Sequence, residues 1–233
     1  MKQKLPEDFF LGASLSGPQT EGAYRTGGRI PSIWDTWSDC AISDFYNKVG
    51  SYVGNNFYEK YEEDIKLFKS LGLDSFRTSI QWSRLLDEKE ELNPEGVNFY
   101  HRLCACAREN QMELFMNLYH FDMPTYLFER GGWESREVVE AYALYARKAF
   151  REFGKKIRYW FTFNEPIVEP DQRYRDGFWY PFIKDAKRGM NVQYHISLAH
   201  SLAVWEFRKA KEEGYLLPDA KIGLINCFAP PYT

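Results

Sequence analysis

Short apolar runs that alternate with amphipathic helices constrain this chain more than any other feature. Parallel strands cannot be joined by a tight turn, so this alternation predicts a parallel sheet with helical crossovers. The first run spans residues 9–14 and leads into a Gly/Pro-rich loop through about Tyr52. A helix is expected over 56–71, where Phe57, Tyr61, Ile65 and Phe68 recur at three and four and Gly72 is a stop. A second run, 75–80, precedes a helix opened by Asn93 and Pro94 as N-cap and first helical residue. Val97, Tyr100, Leu103, Cys104 and Ala107 form its buried stripe. The third run, 113–119, precedes a helix capped by Ser135 and ended by Gly154. Val138, Tyr142, Ala146, Ala149 and Phe153 face inward along it. A fourth run, 159–163, precedes a helix over about 191–213, and 221–226 reads as a fifth strand.

A doubly wound sheet and a barrel both satisfy this pattern. The first strand-to-helix turn lacks a Gly-x-Gly-x-x-Gly fingerprint, and there is no P-loop, so nucleotide binding is not indicated. The 233 residues suffice for one domain with a sizeable core, and no low-complexity linker or fixed-period repeat divides residues 1–233. Net charge is −3 with both signs interspersed, which gives no field favouring nucleic acid or an anionic membrane. Residues 1–8 contain no apolar core of a secretion leader, and no apolar run reaches the roughly 18 residues of a membrane span. Cys40, Cys104, Cys106 and Cys227 show no zinc-like pairing. Free, mostly buried thiols in a reducing cytoplasm are the expectation. No metal and no cofactor is expected.

In a parallel barrel the chemistry lies at the C-terminal ends of the strands. Residues just past the runs are Gln19 and Glu21, then Gln81 and Trp82, then His120 and Asp122, then Asn164 and Glu165. This set contains no Ser-His-Asp arrangement and no metal cage. It does place polar and titratable groups on one rim, as a sugar site needs. Glu165 follows five mostly aromatic residues and precedes Pro166. A partly apolar pocket there would raise its pKa, as a proton donor near neutral pH requires. On spacing alone Glu165 could equally be a glutamate opening a helix, favoured by the dipole. His120 has a bland reading as a hydrogen-bonded rim residue. Arg77 lies inside the second run. A buried Arg is costly unless paired, so Arg77 is either an ion-pair partner inside the barrel or an orienter of the acid. Aromatics make up 18% of the chain, and Trp34, Trp37, Trp82 and Trp133 read as packing before they read as sugar platforms. His195 and His200 share no helix face, which argues against a metal role.

The segment Thr162-Phe163-Asn164-Glu165-Pro166 resembles the signature of glycoside hydrolase family 1, the β-glucosidase and 6-phospho-β-glycosidase family. Phe9 through Gly22, Phe76 through Arg84, Leu118 through Pro124, and Gly131-Gly132-Trp133 resemble other family segments in the same order. The resemblance implies α/β architecture, specifically the N-terminal portion, about five βα units, of a (β/α)8 barrel. It implies Glu165 as the acid/base, Asn164 as the partner of the sugar 2-hydroxyl, and Gln19 and His120 as ligands of the remaining hydroxyls. Phe121 after His120, and the Ser16-Gly17-Pro18-Gln19 stretch, resemble the bacterial 6-phospho branch. The implied ligand is a small-molecule β-glycoside, preferably a phosphorylated disaccharide.

A retaining glycosidase needs two carboxyls about 5 Å apart. The family's nucleophile lies in an Ile/Val-Thr-Glu-Asn-Gly segment, and these 233 residues contain none. Glu169 shares the loop of Glu165 and cannot face it across a barrel. The expectation is therefore a half site, inactive alone. About five strands also leave open edges, which invite a second copy, a separate C-terminal half, or aggregation. A non-catalytic sugar-binding protein derived from the family is the alternative.

Overall fold

The computed structural model describes residues 5–6 and 8–228. Residues 1–4 and 7, part of the segment read for a secretion leader, and Thr233 lie outside the described residues. Five strands form one sheet: β1 Gly12–Ser14, β2 Ser75–Ser79, β3 Glu113–Asn117, β4 Tyr159–Asn164 and β5 Lys221–Ile225. All neighbours are parallel and the order is β1-β2-β3-β4-β5. A doubly wound sheet reverses its strand order at a switch point. This one never does, so each strand is laid down beside its predecessor, as in a barrel.

The long helices are α1 Phe57–Ser70, α2 Pro94–Glu109, α3 Arg136–Phe153 and α4 Ala186–Glu212. Asn93 caps α2 as expected, its side chain accepting from the Glu95 N–H. Ser135 occupies the N-cap position of α3 but makes no side-chain capping bond. Helix α4 begins at Ala186, ahead of the expected 191, because Asp185 accepts from the N–H groups of Lys187 and Arg188. Gly72 and Gly214 take the left-handed φ of a helix stop, 81° and 79°. Gly154 does not; its φ is −62°. It is needed for space, since a Cβ there would stand 2.2 Å from a Leu216 methyl carbon.

The first strand is shorter than its apolar run. Phe9, Phe10 and Leu11 stay outside the ladder and partly exposed. Pairing begins where Gly12 meets Ser75, an approach so close that a Cβ on Gly12 would lie 2.4 Å from the serine hydroxyl oxygen. Phe10 instead packs edge-on against Phe115, with ring centroids 5.5 Å apart.

The sheet has two unlike faces. Phe76, Leu114, Met116 and Trp160 point toward the helices and are buried. Their alternates, Arg77, Phe115, Tyr159 and Phe161, point to the opposite face and are only half-buried. Phe115 stacks on Tyr159 at 4.6 Å on that inner face. Helices α3 and α4 cover β4 from outside, and Tyr142 of α3 donates its hydroxyl to the Thr162 carbonyl. This outer layer fixes the strand ends from which the site loops depart.

Candidate active site

The loops at the C-terminal ends of β1 to β4 enclose a cavity of about 630 Å3. Gln19, Arg77, His120, Asn164 and Glu165 all line it. The five residues singled out from the sequence therefore converge, although they span four different strand units.

Gln19 sits in a single helical turn, Gly17–Thr20, where its side-chain oxygen accepts from the Ser16 hydroxyl at 2.6 Å. His120 follows β3 in a tight loop whose next residue, Phe121, has a φ of 65°. The His120 backbone N–H donates to Asp122 at 3.0 Å. Burial, with the nearby Arg77 charge, pushes the imidazole down to about 3, so the ring is neutral across the physiological range. Its Nδ1 has no partner among the described residues. A buried ring nitrogen left free in this way is a ready position for a ligand hydroxyl or a water.

Arg77 projects from the inner face of β2 and donates to the Asn164 side-chain oxygen at 2.8 Å. Burial lowers its pKa, and the charge of Glu165 acts in the opposite direction. Among the described residues no carboxylate lies within ion-pair distance of Arg77, so of its two expected roles the interior ion pair is not formed. Asn164, the last residue of β4, is thus tied to β2. Glu165 follows with a φ of 47°, and its N–H donates to the Ile225 carbonyl of β5 at 2.7 Å. A left-handed glutamate stores on the order of 1–3 kcal/mol of backbone strain, a cost that clusters at functional sites.

Several expectations need correction. The aromatic run before Glu165 does not make a pocket around it, because none of residues 159–163 lines the cavity. Trp160 and Phe163 are buried on the helix side. The apolar wall comes from other loops: Trp34, Phe121, Val168 and Trp179. Glu165 itself is half-buried. Glu21, Gln81, Trp82 and Asp122 are also not on the cavity surface. Glu21 is sealed beneath it, accepting from Gln81 at 2.6 Å, Arg84 at 2.7 Å and Tyr100 at 2.9 Å. Asp122 is fully buried and accepts backbone N–H groups of His120 and Trp82. Burial pushes its carboxyl up to about 7.

Of the four tryptophans read as packing, Trp37, Trp82 and Trp133 are buried, but Trp34 faces the cavity. Trp179 also lines the cavity, and the sequence pattern does not mark it. Its sequence neighbourhood carries no periodicity that separates it from a loop residue. Glu169 points away from the cavity into a buried pair with Arg173, Oε1 to Nε 3.0 Å. His195 bonds the Trp133 carbonyl and His200 the Thr162 hydroxyl, far apart in role. Among the described residues no cluster of three His, Cys, Asp or Glu could hold a metal ion. Two of the four thiols, Cys40 and Cys227, are exposed, which corrects the expectation of mostly buried cysteines. Burial raises the Cys104 thiol to about 12, so it is no nucleophile. No helix among the described residues is long and apolar enough to cross a membrane.

The family model of Glycosyl hydrolase family 1 matches residues 1–230. The 6-phospho-beta-glucosidase GmuD of Bacillus subtilis is 41% identical over 98% of this chain and 48% of its own length. Beta-glucosidase A of Acetivibrio thermocellus is 35% identical over 96% of this chain and 48% of its own length. A solved structure, the beta-glucosidase from Thermotoga maritima in complex with deoxynojirimycin, superposes with a TM-score of 0.90 at 31% identity. That match covers 97% of this chain and 50% of the other. The chain spans about half the length of the curated relatives it matches. Its four βα units and fifth strand correspond to the N-terminal portion of a (β/α)8 barrel. With the family model spanning nearly every residue, and the strand-end residues of its signature brought into one cavity, this chain belongs to glycosyl hydrolase family 1.

Proposed function

We propose that this chain supplies the acid/base half of a retaining β-glycosidase that hydrolyses 6-phospho-β-glucosides. The convergence of Gln19, Arg77, His120, Asn164 and Glu165 on one cavity is the observation that carries this reading. Glu165 protonates the leaving oxygen and later deprotonates the incoming water. Asn164, held by Arg77, meets the 2-hydroxyl beside the reacting carbon. Gln19 and the neutral His120 hold the other hydroxyls, and Arg77 orients the acid through Asn164. Neither a cofactor nor a metal takes part in this scheme.

The phosphorylated substrate class rests on Phe121, on the Ser16-Gly17-Pro18-Gln19 turn, and on the 41% identity to a 6-phospho-beta-glucosidase. A β-glucosidase at 35% identity leaves the unphosphorylated class as the competing substrate. Residence in the cytoplasm, where sugar phosphates are held, belongs to the same reading.

Glu165 is the one carboxylate among the described residues that line the cavity. Retention needs a second about 5 Å away. We therefore assign that group to a segment outside residues 1–233, on the same chain or a separate one, and expect these residues alone to be inactive. The missing carboxylate also favours a second reading, a sugar-binding protein without turnover. The test is to assay the purified chain on aryl 6-phospho-β-glucosides and aryl β-glucosides, with calorimetric binding of both. Binding without turnover is expected. Turnover that Glu165→Gln removes would overturn the inactivity, and, in a form of the protein that also carries the second carboxylate, faster turnover of the unphosphorylated glycoside would remove the phosphate assignment.

A further inference from the structure

Strand β4 carries one residue more than its ladder to β5 can pair. Phe161 lies opposite Gly223 and Asn164 opposite Ile225, so three steps along β4 match two along β5. That mismatch is a β-bulge at Thr162 and Phe163. Side chains on a regular strand alternate between faces. Starting from Phe161 on the inner face, strict alternation would send Phe163 inward and Asn164 outward into the helix layer. The strand does the reverse. Phe163 is buried against Tyr142 of α3, with ring centroids 4.7 Å apart, while Asn164 meets Arg77 of the inner face at 2.8 Å. The bulge therefore turns Asn164 to the cavity and sets the direction in which Glu165 leaves the strand.

A bulge disrupts backbone pairing, and side chains hold this one in place. The Tyr142 hydroxyl donates to the Thr162 carbonyl. The fully buried Thr162 hydroxyl oxygen stands 2.7 Å from His200 Nδ1 and 3.3 Å from the Gly223 carbonyl oxygen. A hydroxyl has one proton to give. Both contacts are hydrogen bonds at once when His200 carries its proton on Nδ1 and donates to Thr162, which donates onward to Gly223. The two bonds join α4, β4 and β5 at the bulge. Pairing resumes directly beyond it, where the Glu165 N–H donates to the Ile225 carbonyl at 2.7 Å. A phenylalanine at 200 would fill much the same space between α4 and β4 but could not bond Thr162.

We propose that His200, acting through Thr162, is a positioning residue that locks the β4 bulge and so fixes Asn164 and Glu165 in the cavity. The lock itself stands on the geometry of α4, β4 and β5. Its bearing on sugar binding rests on the reading of Asn164 and Glu165 as the groups that meet the sugar.

The experiment follows the full chain by nuclear magnetic resonance, through amide hydrogen exchange and the imidazole nitrogen shifts of His200, and titrates methyl β-glucoside by calorimetry. In the unaltered chain His200 should be the Nδ1–H tautomer, and the Nε2–H tautomer overturns the relay. His200→Phe and Thr162→Val should each speed exchange of the Glu165 amide by roughly tenfold, the scale of one lost buried hydrogen bond, while the Met116 amide of β3 keeps its rate. His200→Asn, whose side-chain amide can stand in for Nδ1–H, should bring the Glu165 rate back toward that of the unaltered chain. Rates that rise equally at Glu165 and Met116 mark general destabilisation and overturn the lock, as does a Glu165 rate that does not move. If His200→Phe does not fold, Thr162→Val and the tautomer of the unaltered chain carry the test. Glucoside affinity should fall in the same variants that free the Glu165 amide. An unaltered chain that binds no glucoside fails the glycosidase reading by itself, and the exchange rates and tautomer then still support or overturn the lock.

Discussion

Two glutamate–arginine pairs sit within the same half barrel and are treated in opposite ways. Glu21 and Arg84 are buried and bonded to each other at 2.7 Å, and Gln81 and Tyr100 also donate to Glu21. Arg84 is further held by the carbonyls of Gly22 and Thr26. Glu165 and Arg77 are half-buried, and Arg77 bonds Asn164 instead of the carboxylate. The first carboxylate accepts three hydrogen bonds, two on one oxygen and one on the other, and holds the β1 loop against β2. The second has no side-chain hydrogen bond among the described residues and lines the cavity. An acid bonded on both oxygens is a strut; an acid held close to a cation yet left unbonded by it can exchange a proton with something else.

The largest effect should come from the bonded pair. Glu21→Ala leaves Arg84 charged and buried without its partner, and should cost about 3–5 kcal/mol of unfolding free energy in urea titrations. A loss under 1 kcal/mol would erase the distinction between the two pairs. Glu165→Gln should behave oppositely. Its stability change should stay within about 0.5 kcal/mol. In any form of the protein that also carries the second carboxylate, the same change should lower kcat by roughly 10²- to 10⁴-fold.

A finer test uses His120 and Asp122. His120 is neutral when folded because its pKa falls from 6.5 to about 3, while Asp122 rises from 3.8 to about 7. Between about pH 4 and 6.5 the unfolded chain carries one of these protons on His120, and the folded chain carries one on Asp122. The numbers bound are equal, so the two slopes cancel. Removing either partner exposes the other. In His120→Gln the folded state alone binds a proton, so stability should fall as pH rises through this window, by about 1.4 kcal/mol per unit. In Asp122→Asn the unfolded state alone binds one, and stability should rise with pH at the same rate. Denaturation midpoints at several pH values check both, and two variants with the same sign of slope would refute the cancellation. A further effect is expected from Asn164→Ala, which frees Arg77 from its neutral partner. Because Arg77 is half-buried and can turn into the cavity, the cost should stay below about 1.5 kcal/mol. Loss of sugar affinity without any stability change would place Asn164 with Glu165 and not with the strut.

Strand and helix content was legible because period and punctuation agree in most units. Asn93-Pro94 opens α2, and Gly72 and Gly214 follow their helices with left-handed φ. The misreadings have local causes. Asp185 caps α4 ahead of its apolar pattern, so the helix starts earlier than that pattern does. Phe9 to Leu11 look like a strand by composition, but the regular ladder begins only where Gly12 meets Ser75, with Leu11 bonded to Asp74 just before it. The polar residues of the site were readable because each lies just beyond a strand end. Glu21 and Gln81 fit the same rule and still turned inward, because Arg84 and Tyr100 lie beneath them.

Sequence alone determined the parallel α/β arrangement, the strand-end residues and the family to which they belong. These depend on periodicity and short motifs, which are local along the chain. Tertiary structure decided which glutamate is bonded to its arginine and which is not, that Arg77 bonds Asn164 and no acid, and that Trp34 and Trp179 close one wall over Arg173. Each of these is a contact between loops tens of residues apart, and no spacing rule along a single segment encodes which groups meet there.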